Sequence, residues 1–273
     1  MGHRSRKLFF AVAVVALALT TACSEEKGAS AAGDADSPKR IASADEVIKV
    51  VDKGFVTYRV VKPGVESDYL SYGYVIENVS DEVALTVGVA VEFTDEAGNP
   101  LPDVTSAGNE FSVVLPGQRM GAGHGERYAG PAPGGDRPTI AGMNVKITLI
   151  TALDTPDGKR HRKPPAPYAE LETGDPVAVD RDSRAEAVEV EVTNTYDVPL
   201  QPKATAVVRD AEGAIVGGMA SNPMAQLQPG DSAQAEFFDR LIEDPRLAEG
   251  TIESYADPNI GQMITRTPVW QDI

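Results

Sequence analysis

The clearest strand-and-turn pattern in the chain is that of residues 187–213, AVEVEVTNTYDVPLQPKATAVVRDAEG. Its first part alternates, because glutamates separate Val188, Val190 and Val192. Successive side chains of a strand point to opposite faces, so a period of two directs the valines to a core and the glutamates to water. The DAEG segment is typical of turns, since aspartate bonds its own backbone and glycine permits a positive φ. The stretch therefore predicts two strands, a short loop between them and a tight turn.

The same features recur in the same order in residues 72–98, YGYVIENVSDEVALTVGVAVEFTDEAG. In each copy a strand ends at an asparagine, a second strand ends at an aspartate, a glycine-bearing turn follows, and a Pro-Gly pair comes later. The matching residues are Asn78 and Asn194, Asp95 and Asp210, Gly98 and Gly213, and Pro116-Gly117 and Pro229-Gly230. Short alternating strands with frequent turn signals are typical of β-sandwiches. We expect an all-β fold of two tandem immunoglobulin-like β-sandwiches.

On these features the two repeats resemble the FxLYD-type immunoglobulin-like modules of bacterial surface proteins. The resemblance covers residues 55–150 and 177–265, and rests on the strand-ending asparagine, the strand-turn segments FTDEAG and VRDAEG, and the later Pro-Gly. The FxLYD string itself is absent from both halves. The resemblance implies exposure and interaction at the cell surface, with no established chemistry.

The predicted division places the first sandwich at residues 47–153, a Pro/Gly-rich linker at residues 154–176 and the second sandwich at residues 177–273. The linker contains KRHRK, residues 159–163, the densest basic run in the chain. A polybasic segment can dock on anionic lipid headgroups or wall polymers. The alternative is a solvated patch that pairs with nearby acids. Residues 44–53 are compatible with a short helix or with the start of the first strand.

The amino terminus has the pattern of an export signal: Arg4, Arg6 and Lys7 precede an apolar run, residues 8–19. That run is shorter than the roughly 20 residues needed to span a bilayer core. Residues 19–23, LTTAC, resemble the lipobox of bacterial lipoprotein signal peptides, with Thr20 where an aliphatic residue is usual. The resemblance implies cleavage after Ala22 and a diacylglyceryl group, with palmitate among the acyl chains, on Cys23.

The predicted amino-terminal layout is therefore a lipoprotein signal peptide over residues 1–22 and a lipid-anchored disordered tether over residues 23–46. The tether is rich in Ala, Gly, Ser and Asp and has no apolar period. The alternative for Cys23 is a buried cysteine in a signal or transmembrane helix. The predicted location is the extracytoplasmic face of the cell membrane, held by the lipid anchor.

Composition excludes several classes of function. The chain has 25 Lys plus Arg against 41 Asp plus Glu, so nucleic acid, whose phosphates are anionic, is not an expected partner. A single cysteine can form neither an internal disulfide nor a thiolate zinc site. We expect no catalytic residues, no metal site and no cofactor.

Weaker candidates for chemistry are scattered along the chain. His124 lies in a glycine-rich segment, residues 121–136, which we interpret as a long surface loop; with Glu126 it offers half of an acid–base pair or a weak metal site. Tyr72 and Tyr74 share a strand face, as a ligand platform or as aromatic packing. The remaining candidates are calcium ligands or turn residues at Asp95-Glu96 and at Asp210 with Glu212, and a contact at Trp270.

The predicted function is a non-enzymatic binding or scaffolding role, carried by a lipid-anchored bacterial lipoprotein at the cell surface. Its expected partners are the membrane, reached through the anchor, and an envelope protein or a cell-wall polymer. Two alternatives stay open. One is an envelope hydrolase with an unrecognised carboxylate pair, and the other is a carrier of a small ligand or metal.

Overall fold

A computed structural model describes most of the chain beyond its amino terminus, and the expected all-β class is confirmed. All described residues belong to one compact unit, Arg40–Ile273. The described ranges are residues 44–62, 65–81, 83–104, 106–128, 139–153, 168–181, 185–238, 250–260 and 266–268.

The first half of the chain opens with a short helix, Ala44–Val47, that leads directly into a long strand, so residues 44–53 contain both expected elements. Its strands are β1 Ile48–Lys62, β2 Val65–Asn78, β3 Leu85–Thr94, β4 Ser106–Val114, β5 Arg119–Tyr128 and β6 Gly142–Leu153. A short 3-10 turn, Pro102–Val104, lies between β3 and β4.

The second half is built from shorter strands. They are β7 Glu172–Thr173, β8 Val177–Arg181, β9 Ala185–Thr193, β10 Lys203–Arg209, β11 Ile215–Ala220, β12 Ser232–Phe238, β13 Thr251–Asp257 and β14 Arg266–Pro268. Of the residues predicted as a linker, 154–167 lie outside the described residues, and β7 lies in the remainder.

The described strands form four antiparallel sheets, numbered in the order in which they stack. Sheet 1 has the order β14-β6-β3-β4, sheet 2 β1-β2-β5, sheet 3 β11-β10-β13, and sheet 4 β12-β9-β7, with β8 also pairing β9. The predicted internal repeat is confirmed as a repeat of topology. Strands β1, β2 and β5 correspond to β8, β9 and β12, while β6, β3 and β4 correspond to β13, β10 and β11.

Each pair of repeated sheets encloses an apolar core. Val87, Val89, Val91 and Phe93 of β3 pack with β2, β4, β5 and β6 in the first core. The valines of β9 lie in the second core, as their alternation predicts.

The two middle sheets, 2 and 3, also pack against each other, through β2, β5 and β1 on one side and β10, β11 and β13 on the other. Val113 and Leu153 of the first half belong to the same cluster as the second core. Strand β14 returns to pair with β6. Because contacts run continuously between the halves, the predicted number of separate domains is not confirmed.

Candidate functional site

The repeated asparagine is a structural corner in the first half. Asn78 is fully buried; its Nδ2 donates to the carbonyls of Val83 at 2.8 Å and Val114 at 2.9 Å. Its Oδ1 accepts from the amide of Ser80 at 3.0 Å, and its own carbonyl accepts from the amide of Gly117 at 2.8 Å. One side chain therefore ties together the end of β2, the following loop and the Pro-Gly turn.

The second half repeats this corner atom for atom. Asn194 Nδ2 donates to the carbonyls of Val198 at 2.9 Å and Leu227 at 3.1 Å, and its Oδ1 accepts from the amide of Tyr196 at 3.0 Å. The amide of Gly230 donates to the Asn194 carbonyl at 2.9 Å. Both asparagines use their donors and acceptors within the fold, where unpaired polar groups are costly.

The aspartates considered as calcium ligands serve their turns. Asp95 Oδ1 accepts from the amides of Ala97 at 2.9 Å and Asn99 at 2.7 Å, and Asp210 Oδ1 accepts from the amide of Ala214 at 2.8 Å. The side-chain and backbone donors of Asn99 hold the pKa of Asp95 below its usual range. The turn interpretation thus accounts for these carboxylates. Gly98 and Gly213 have φ of 81° and 85°, which favours glycine.

The interpretation of residues 121–136 as a loop is wrong for residues 121–128, which belong to β5; residues 129–136 lie outside the described residues. His124 pairs with Tyr72, and Glu126 pairs with Leu70. Among the described residues, no three or more His, Cys, Asp or Glu side chains lie close enough together to hold a metal ion. Gly121 and Gly123, which precede His124, lie close to residues of sheet 3. They therefore fit a strand that packs against another sheet, and not a flexible loop.

Two tyrosines of β2, Tyr72 and Tyr74, lie on the same face of the strand. Tyr72 and Tyr74 are buried in the first core, where Tyr72 meets Phe93 with ring centroids 5.4 Å apart and Tyr74 meets Phe111 at 6.5 Å. These edge-on contacts are aromatic packing, so the ligand-platform alternative is wrong for this pair. Burial raises the pKa of the Tyr74 hydroxyl above its usual value.

The remaining sequence candidates cannot be placed. Cys23, the signal peptide, residues 159–163 of the linker and Trp270 lie outside the described residues, as does the tether up to residue 43. Within the described ranges, every helix is too short and too polar to cross a bilayer.

The largest arrangement that sequence reasoning missed is the contact between sheets 2 and 3, called the junction below. Val75 of β2 has Asp52 of β1 and Gly121 of β5 as its two cross-strand neighbours. Each of these three neighbouring residues contacts one outward-facing residue of β10. Thr205 Oγ1 donates to the Gly121 carbonyl at 2.6 Å, Val207 packs on Val75, and Arg209 forms an ion pair with Asp52. Strand β10 therefore crosses β5, β2 and β1, as in orthogonal sheet packing.

Glycines let the two backbones approach in the next row of the junction. A Cβ on Gly123 would lie 2.6 Å from the Cα of Gly218, and a Cβ on Gly73 would overlap the carbonyl of Gly217. A Cβ on Gly121 would overlap the ring of Tyr255. The signal in the sequence is glycine at alternate positions 121, 123 and 125, on one face of a strand. Such glycines mark close backbone approach.

Polar groups lie at one end of the junction, and a separate polar contact joins sheet 3 to sheet 1. At one end Arg209 Nε donates to Glu253 Oε1 at 2.8 Å, and the Tyr255 hydroxyl donates to Glu253 Oε2 at the same distance. Burial pulls the pKa of Glu253 upward, but these donors outweigh it and the pKa lies below its usual value. Apart from the junction, Asp257 of β13 in sheet 3 contacts Ser112 of β4 in sheet 1.

Comparisons with protein-family models and with curated protein sequences found no match to this chain.

Proposed function

We propose that this chain is a bacterial lipoprotein, anchored through Cys23 on the extracytoplasmic side of the cell membrane, with a non-enzymatic binding or scaffolding role. The observation that carries the proposal is the sequence of residues 8–23, in which a signal-like apolar run leads into LTTAC, with a small residue before the chain's only cysteine. Two or more acyl chains hold a protein stably on a bilayer, since each buried methylene contributes about 0.8 kcal/mol.

The architecture supports the non-enzymatic part of this proposal. The most buried polar side chains, including Asn78, Asn194, Thr86 and Ser112, form hydrogen bonds that hold turns, strands or the contact between the two halves. Loops on such a scaffold are the usual carriers of recognition. The two repeats, joined face to face, would present their loops at fixed relative positions to an envelope protein or a wall polymer.

The anchor is tested by expressing the chain in a bacterial host with a palmitate analogue that can be detected on gels. The wild-type chain should be labelled and should sediment with membranes, whereas Cys23→Ala should lose the label and be released or left unprocessed. Glu25→Ala, a neighbouring change that spares the thiol, should behave like wild type. A Cys23→Ala chain that stays labelled would refute the anchor.

The binding role needs a separate experiment. Crosslinking in intact cells, followed by capture of the chain, should recover one envelope protein or wall polymer repeatedly. Hydrolysis of wall glycans or esters, abolished by a single Asp or Glu substitution, would instead favour the hydrolase. A rise in melting temperature with one metal or solute, and no macromolecular partner, would favour the carrier.

A further inference from the structure

A buried carboxylate joins the two halves by linking β13 of sheet 3 to β4 of sheet 1. Asp257 is 5% exposed, and its Oδ2 accepts from the amide of Ser112 at 2.5 Å. Its Oδ1 accepts from the amide of Asn259 at 2.5 Å and contacts the hydroxyl of Ser112. The amide of Ile260 donates to that hydroxyl at 3.1 Å. Asp257, Ser112, Asn259 and Ile260 therefore form one small network that spans both halves.

The charge of this carboxylate is poorly compensated. Lys203 stands opposite Asp257 in the β10–β13 register, but it is exposed, and its attraction has the smallest influence on the Asp257 pKa. Among the described residues, Tyr196, in the turn after β9, is a second titratable group that interacts with the Asp257 charge. Burial raises the pKa of Asp257 above its usual value, and the donors from Ser112 and Asn259 offset only part of this effect.

We propose that Asp257 is a proton-operated latch between the two halves, which tightens when the carboxylate takes up a proton from solvent and loosens when it releases one. In the ionised form, docking β13 against β4 removes a charge from water, and no ion pair with a described residue offsets that cost. In the protonated form that cost disappears, and the carboxyl O–H can donate a hydrogen bond to Ser112 Oγ. An extracytoplasmic location would expose such a latch to changes of external pH, although the latch itself does not depend on the lipid anchor.

The sign of the effect follows from proton linkage. An unfolded or opened chain releases the Asp257 proton near the ordinary value of 3.8, whereas the closed chain keeps it to higher pH. Between these two values the closed form holds one more proton. Its equilibrium constant should therefore fall by about tenfold per pH unit as pH rises.

The test compares full-length wild type with Asp257→Asn by denaturant unfolding between pH 4 and pH 8. Wild type should lose stability with rising pH relative to the variant, with the tenfold slope over part of this range. Asp197→Asn, an exposed turn aspartate, is the matched control and should follow wild type. Equal pH slopes in wild type and Asp257→Asn would overturn the proposal.

Two further measurements keep the proposal testable if Asp257→Asn does not fold. The wild-type carboxyl of Asp257, followed by carbon NMR, should titrate above 3.8; a midpoint at or below 3.8 would refute the latch. Hydrogen exchange, corrected for intrinsic rates, should show the amides of Ser112 and Ile260 losing protection as pH rises. Amides of Val87 and Val89 in the first core should not change in parallel, and if they did, global unfolding rather than a latch would be the cause.

Discussion

Sheets 2 and 4 occupy the same place in the two repeats but have opposite surroundings. Three residues before the repeated asparagine stand Val75 in sheet 2, which is 2% exposed, and Glu191 in sheet 4, which is exposed. Five residues before it stand Gly73, against the backbone of Gly217, and Glu189, which is partly exposed. One sheet is thus sandwiched between two others, while its counterpart faces water.

Sheets 1 and 3 show the complementary difference. Three residues before the repeated aspartate, sheet 1 has Glu92, which pairs with Lys146 at 2.7 Å on the surface. Sheet 3 has Val207 there, fully buried in the junction. The core-facing residues of both repeats are similar, so the outward-facing residues alone distinguish a sheet that meets another sheet from a sheet that meets water.

The largest effect on stability is expected from exchanging the residue types of Val75 and Glu191. Val75→Glu places a carboxylate against Val207 and Ile215, and should lower the free energy of unfolding by about 4 kcal/mol, since burying an unpaired charge is among the costliest single changes. Glu191→Val, at the matching exposed site, should change it by less than about 0.5 kcal/mol. Denaturant unfolding measures both, and similar losses in the two variants would contradict the different surroundings inferred here.

A second change concerns space rather than charge. Gly123→Ala adds one methyl group that would overlap the Tyr72 carbonyl of sheet 2 and lie 2.6 Å from the Cα of Gly218, so the backbone must shift both within sheet 2 and at the junction. We expect a loss of about 3 kcal/mol, at the upper end for overpacking. Gln234→Ala, on the exposed face of the corresponding strand β12, is the control and should be nearly neutral. A Gly123→Ala chain as stable as wild type would show that the junction has more room than described.

The smallest expected effect compares the two aspartate turns. Asn99 Nδ2 donates to Asp95 Oδ2 at 2.9 Å, whereas the equivalent residue of the second turn, Ala214, offers only its amide. Because the pKa of Asp95 is lowered, its contribution to stability is present above the ordinary value of 3.8 and is lost as pH falls through the lowered pKa. Asn99→Ala should raise the pKa of Asp95 and make the turn less sensitive to acid. NMR titration of the Asp95 carboxyl measures this, and an unchanged midpoint would contradict it.

Much of each sandwich was predictable because local pattern and burial agree. Val188, Val190 and Val192 alternate with solvent-facing residues, and Gly98 and Gly213 sit where a positive φ is needed. Repetition made these inferences firmer, because two independent segments gave the same order of strands and turns. The side-chain role of Asn78 and Asn194 was not predictable, since its hydrogen bonds reach carbonyls that only the folded chain brings near.

The junction was missed because its signals have a second meaning. Glycine at 121, 123 and 125 is also typical of a loop, and only the positions of Tyr255 and Gly218 in the other half explain Gly121 and Gly123 as sites of close packing. The run from Tyr72 to Ile76 is apolar on both faces, which favours a strand covered on both sides. Val75, an apolar residue on the outward face of β2, is the sequence signal that another sheet covers this face. The lipid-attachment site at Cys23 stays a prediction from sequence.

The glycine contacts of the junction have a consequence for the order of synthesis. The first half is synthesised before Gly217 and Gly218. Until those residues are added, the sheet face that carries Gly73, Val75 and Gly123 lacks the strands that cover it in the complete chain. An uncovered apolar sheet face is prone to associate with other chains. We therefore expect a first half without β10 and β11 to be more prone to aggregation than the complete chain.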